Sequence, residues 1–299
     1  GDNISFSISS SNWATITDNG NNTASINGTP SQTGLDTLVV TIDDGNGGIA
    51  SMSYIINIVR QGTFISPGNI CNENWTAANS PYIITGDVLV PSGCSLEIAP
   101  SVIVEFDGPY MLTVEGNMLA EGTATDSIFF SINNTLSSQL NYDYSVSADP
   151  CPQGQNDCGW KGIRFSGAST DSSKLKYCVV EHSISSGVGY TYPNSGSPIE
   201  VNGYSPLNIS FCSFRNNISW TNYGNLTDYW GNGTIITIIN ASPLISNNRF
   251  SAPSNASNSL VLFKNSSGAF NNNVIQNINS QTSGYESLVT IMNSTDFTF

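Results

Sequence analysis

From Pro198 to the C-terminus, apolar and polar residues alternate in short runs, and the runs recur. They read PIEVNGYSPLNISFCSFRNN from Pro198, IITIINASPLISNNRF from Ile235, LVLFKNSSGAFNNNVIQN from Leu260 and LVTIMNSTDFTF from Leu288. Alternation of this kind predicts strands with one buried face. Each run turns at Asn, Gly or Ser and resumes as a short second strand. A β unit that repeats at this size predicts the coils of a solenoid. Aligning the units brings Cys178, Cys212, Asn248 and Asn273 to one position, each two residues before an apolar residue: Val180, Phe214, Phe250 and Ile275. Stacked coils would make that position a ladder in which Asn side chains hydrogen-bond from coil to coil.

The same pattern extends upstream. Between Ser80 and Ser131, short apolar runs broken by Gly, Pro and Ser predict further strands, with Val88, Val90, Leu96, Ile98, Ile103, Val104 and Phe106 lining the interior. Residues 1–60 differ. Phe6-Ser-Ile8, Trp13 to Ile16, Leu38 to Ile42 and Met52 to Val59 predict strands joined by turns, the spacing of a β-sandwich. Asp43 to Gly48 (DDGNGG) predicts a tight turn. A second reading of Asp43 and Asp44 is a structural Ca²⁺ site built from their carboxylate oxygens. No other cofactor is expected.

Charge narrows the function classes. With 8 Lys plus Arg against 22 Asp plus Glu, the net charge is −14, which argues against nucleic acid and against docking on anionic lipid. No run approaches the ~20 apolar residues of a membrane helix, so direct membrane insertion of this fragment is not expected. Only 10% of residues are charged, so Asn, Ser, Thr and Gly must supply the hydration. The chain begins at Gly1 and stops partway through a repeat at Phe299, which reads as a piece of a longer protein.

Six cysteines are present, none in a CxxC pair, and His182 is the single histidine. A zinc site is therefore poorly supported, and disulfides in an oxidising compartment are the better reading. Cys151 and Cys158 enclose a polar loop that a local bridge would pin. Cys178 and Cys212 occupy equivalent repeat positions and would bond between coils. Cys71 with Cys94 follows by elimination. Buried free thiols are the alternative.

Thirteen N-x-S/T sequons occur, at Asn3, Asn21, Asn27, Asn74, Asn133, Asn208, Asn217, Asn225, Asn232, Asn240, Asn255, Asn265 and Asn293. They predict a heavily N-glycosylated extracellular protein. Compositional bias toward Asn, Ser and Thr is the competing explanation, and laddered asparagines are another. Asn248 and Asn273 lie outside any sequon, which fits a ladder role.

Two resemblances sharpen this reading. INGTPSQTG (Ile26 to Gly34) followed by LVVTIDDGNGGIASMSYIINIV (Leu38 to Val59) resembles the immunoglobulin-like, cadherin-like modules of cell-surface proteins. SPYIITGDVLVPSG, SLEIAPSVIVEF, LTVEGNMLAEGT, IFFS and WKGIRFSG (Trp160 to Gly167) resemble right-handed parallel β-helix surface proteins. The resemblances imply an all-β chain. An Ig-like β-sandwich would occupy 1–60, a linker 61–70, and a right-handed parallel β-helix 71–299.

No catalytic constellation stands out, so an enzyme is not expected. The nearest cluster is Glu181, His182 and Asp171, with His182 as a general base; a hydrogen-bonded surface histidine is the plainer reading. Two insertions, Leu136 to Asp157 and Thr221 to Gly233, interrupt the coils, and the second carries Tyr223, Tyr229 and Trp230. These aromatics suit stacking on sugar rings or on a neighbouring subunit, or simple local packing. The expected function is an extracellular structural or adhesive glycoprotein of a surface layer, appendage or filament. Its partners would be covalent N-glycans, copies of itself or other surface proteins, and a glycan ligand. The alternatives are a polysaccharide-active β-helix lyase or hydrolase, and a carbohydrate-binding module.

Overall fold

The computed structural model describes residues 4–9, 13–30, 33–132, 159–167, 172–185, 197–219, 234–251, 261–276, 289–294 and 296–298. Among these residues the chain is all-β apart from one short 3-10 turn, Ala77–Asn79. It divides into two compact units, Gly1–Gln61 and Gly62–Phe299.

The larger unit consists of three stacked parallel sheets of eight strands each, a parallel β-helix-like solenoid. Each coil contributes one strand to each sheet. In the third coil, for example, Ile103–Phe106, Met111–Val114 and Asn117–Glu121 follow one another around the three faces, Met111–Val114 in the first sheet, Asn117–Glu121 in the second and Ile103–Phe106 in the third. Parallel strands joined this way bring chain neighbours to different faces and place residues one coil apart in direct register. In-register pairing turns alternation into continuous inward columns. One column on the third sheet runs Val104, Phe130, Val180, Phe214, Phe250 and Ile275. Phe214 and Phe250 stack with ring centroids 5.0 Å apart. Another, on the second sheet, runs Ala120, Leu175, Ile209, Ile245 and Phe270. Columns of this kind make up one uninterrupted core from Ile65 to Phe270.

Of the expected interior residues, all but one are buried. Ile103 is 39% exposed while Val104 and Phe106 are fully buried. A strand has a period of two, so Ile103 and Val104 cannot both face inward. The segment expected to be a linker also differs. Thr63–Ile65 pairs with Tyr82–Ile84, and Gly68–Asn69 pairs with Val88–Val90, so residues 63–69 already build coil strands.

The smaller unit holds two antiparallel sheets. Ser5–Ser9, Gly34–Asp43 and Ile49–Ile58 form one with Gly34–Asp43 in the centre, and Ala14–Asp18 pairs with Ala24–Gly28 in the other. The run ASING at 24–28 is small and polar, and gave no strand signal. Leu38 is the one buried apolar side chain among the described residues of this unit.

Candidate functional site

The solenoid turns its corners with left-handed residues. At the corner leaving the second sheet, Tyr177, Phe211, Asn247 and Asn272 have φ of 50°, 56°, 58° and 54°. At the corner leaving the first sheet, Gly203, Asn240, Asn265 and Asn293 have φ of 66°, 51°, 50° and 49°. Glycine and asparagine tolerate this region best, which explains why Asn recurs at these corners. The next residue points inward and bonds to the adjacent coil.

That inward position carries the predicted ladder. Asn248 Oδ1 accepts from Cys212 N at 2.8 Å, and Asn248 Nδ2 donates to Ile209 O at 2.9 Å and to Asn273 Oδ1 at 3.1 Å. Asn273 Oδ1 also accepts from Asn248 N at 2.9 Å, and its Nδ2 donates to Ile245 O at 3.0 Å. A serine ladder follows the first-sheet corner, where Ala241 N donates to Ser266 Oγ and Ser266 N to Ser294 Oγ. Buried backbone groups at the corners are thereby satisfied.

The cysteines divide. Cys71 and Cys94 form a disulfide with Cα atoms 4.7 Å apart, joining the first two coils. Cys178 and Cys212 do not form the expected bridge; both are buried free thiols. They do stack as neighbouring rungs, but each sulfur is directed at carbonyls, Cys178 at Ala120 and Lys176, and Cys212 at Leu175 and Ser210. Parallel rungs send both side chains the same way at about 4.8 Å, whereas a bridge needs Cβ atoms converging to about 3.8 Å. Burial, together with the neighbouring Cys212 thiol, pushes the Cys178 thiol well above its ordinary value, so it stays protonated and unreactive. Cys151 and Cys158 lie outside the described residues.

The sequons also divide. Asn3, Asn133, Asn225, Asn232 and Asn255 lie outside the described residues. Asn21, Asn27 and Asn74 are exposed. Asn217, although a sequon, is only 2% exposed. Its Oδ1 accepts from Ser183 N at 3.0 Å and its Nδ2 donates to Val180 O at 2.8 Å. Asn240, Asn265 and Asn293 are exposed and stack in successive coils, since Asn240 N donates to Lys264 O and Asn265 N to Met292 O. The serines two residues on form their own ladder, Ser242 Oγ to Ser267 Oγ at 2.6 Å. The N-x-S pattern at this corner thus has an architectural cause. Glycopeptide mapping of native material is expected to find Asn217 unmodified, and never to find two neighbouring rungs of the column occupied on one molecule. At about 4.8 Å spacing, two branched glycans would overlap. Doubly occupied neighbours would refute this.

The turn at Asp43 and Asp44 uses its carboxylates locally. Asp43 Oδ1 accepts from Gly45 N, and Asp44 Oδ1 accepts from Asn46 N and Gly48 N, each at 2.8 Å. The bonds from Asn46 and Gly48 hold the Asp44 carboxyl below its ordinary value. These oxygens thus close the turn through its own amides.

Glu181 and His182 occupy the corner leaving the third sheet. Glu181 accepts from Arg215 Nε at 2.7 Å. His182 has φ of 59°, and its amide donates to Asn216 O. Asp171 lies outside the described residues. Burial lowers the His182 pKa below its ordinary value, Glu181 opposes the shift, and Arg215 adds to it. The folded state therefore favours neutral His182. The stability this contributes is full above the unfolded pKa of about 6.5 and is lost as pH falls through the lower folded value. Urea midpoints are expected to decline as pH falls below about 6.5, and His182→Asn, whose side chain suits the same φ, should shrink that decline. An unchanged decline in the variant would exclude His182 as its source.

Tyr223, Tyr229 and Trp230 lie outside the described residues. The described surface offers a different aromatic feature, not anticipated from sequence. A groove of about 270 Å³ is lined by Glu121, Lys174, Lys176, Asn208, Ser210, Phe211 and Ser246. Glu121, Lys176, Ser210 and Ser246 form one outward column on the second sheet, and Lys174 and Asn208 belong to the column beside it. Phe211 supplies its apolar wall, and Tyr177 stacks on Phe211 at the corner with ring centroids 5.0 Å apart. The signal that could have located it was in the alignment. The residue before each ladder position is Tyr, Phe, Asn and Asn in turn, so two corners carry rings where the others carry asparagine.

No family model, curated protein or solved structure matches the chain.

Proposed function

We propose that the chain is a structural or adhesive component of an extracellular surface layer, appendage or filament. One observation carries the reading: the residues that recur at equivalent coil positions bond coil to coil. The Asn248–Asn273 rung is the clearest case. Eight in-register strands per sheet span about 34 Å at the usual strand spacing, and such a stack resists bending. The disulfide Cys71–Cys94 fits an oxidising, extracellular setting.

In this reading the solenoid is a right-handed parallel β-helix, and the smaller unit is an Ig-like spacer module. Its two antiparallel sheets and the INGTPSQTG resemblance support the latter. Exposed sequons provide N-glycans that hydrate a surface poor in charge. Structural Ca²⁺ at Asp43 and Asp44 is not needed by the proposal. Electron microscopy of protein isolated undenatured from its native source tests it. A regular filament or lattice is expected. Dispersed particles that cleave polysaccharides, with or without Ca²⁺, would replace it with the enzymatic alternative.

A further inference from the structure

We propose that the groove on the second sheet binds an acidic saccharide. The ligand class follows from the chemistry of the walls. Phe211 is 45% exposed and, backed by Tyr177, offers a flat apolar surface to the face of a sugar ring. Asn208, Ser210 and Ser246 offer amide and hydroxyl partners to ring hydroxyls. Asn208 Oδ1 is buried without a hydrogen-bond partner. Three of the four such side-chain atoms among the described residues, on Asn117, Asn208 and Asn271, are asparagine oxygens on this same sheet.

Charge adds the acidic requirement. The chain carries a net −14, yet the groove holds two lysines against one carboxylate. Lys174 is matched by Glu121 at 3.3 Å. Arg164 and Arg215 are likewise matched, by Glu200 and Glu181. Among the described residues Lys176 forms no ion pair with a carboxylate; its ammonium lies 5.8 Å from the Tyr177 ring centroid. It therefore stands beside the aromatic wall outside the ion pairs of the described residues, where a uronate carboxylate of a stacked ring would sit. At about 270 Å³ the groove holds about one ring. This ligand is bound, not covalently attached. The site stands independently of the surface role proposed above, and holds whether the saccharide is free polysaccharide or a glycan of another molecule.

Titration calorimetry on the full chain tests this with a galacturonate oligosaccharide and a neutral galactose oligosaccharide of equal length. The uronate is expected to bind more tightly than the neutral sugar, and to weaken with added salt. Lys176→Gln should weaken uronate binding about tenfold, to near that of the neutral sugar. Phe211→Asn should weaken both sugars about tenfold. Asparagine is the residue that Asn247 and Asn272 supply at the same corner φ, so this variant keeps the fold while removing the ring. Circular dichroism confirms folding. No saturable uronate binding, equal binding of the two sugars, or affinities unchanged in both variants would overturn the proposal. So would an N-glycan on Asn208 in native material, because it would fill the groove.

Discussion

Replacing Asn248 with alanine is expected to destabilise the solenoid by about 3 kcal/mol. Asn248 is 1% exposed, so water cannot replace what its side chain provides. The change strands the Cys212 amide and the Ile209 carbonyl and removes one of the donors to Asn273 Oδ1. Each buried orphan costs about 1–3 kcal/mol. Asn248→Cys should cost less, because Cys212 and Cys178 hold the same rung in the two preceding coils and direct their thiols at carbonyls. Asn247→Gly, at the exposed neighbouring corner where φ is 58°, should be nearly neutral, since glycine accepts that conformation. Urea midpoints of the three variants test the ordering. If Asn248→Ala unfolds with the parent, the ladder does not hold the coils together and the mechanical reading of the chain loses its main support.

The ladder was legible in the sequence because in-register stacking preserves alignment. Residues equivalent in the repeat became neighbours in space, so Cys178, Cys212, Asn248 and Asn273 could be grouped before any coordinates. What alignment does not carry is side-chain direction. It placed Cys178 and Cys212 as neighbours, while Cys71 with Cys94, reached by elimination, is bonded. It could not show that Cys178 and Cys212 point side by side into the core with each sulfur aimed at carbonyls. The first coil was missed for a different reason. Thr63–Ile65 and Gly68–Asn69 are too short to show alternation, and their partners lie about twenty residues further on. Only tertiary pairing makes them strands. The groove was hidden too, because its aromatic wall sits at a corner that the repeat normally gives to asparagine. A left-handed φ at Phe211 has no signature in a hydropathy pattern. Asn217 shows the converse: its motif is a perfect sequon, but burial removes the amide from reach.

The second large effect is expected at Trp160. Its side chain is fully buried and stacks on Phe106 with centroids 4.3 Å apart and planes 12° from parallel. Its indole Nε1 donates to Glu181 O at 2.8 Å, and its backbone bridges to Ser183. Trp160→Ala should cost about 3–5 kcal/mol, the range for emptying a large aromatic site in a close-packed core. Trp160→Phe keeps a ring against Phe106 but strands the Glu181 carbonyl, and should cost only about 1–2 kcal/mol. The difference between the two variants separates packing from hydrogen bonding. A second consequence is local. Glu181 precedes His182 at the corner and holds Arg215, so loosening its carbonyl should expose His182 and bring its pKa back toward about 6.5. NMR titration of the single histidine reads this directly. A raised His182 pKa in Trp160→Phe would tie the buried indole to the third corner. An unmoved pKa together with a full-sized stability loss would confine Trp160 to the core.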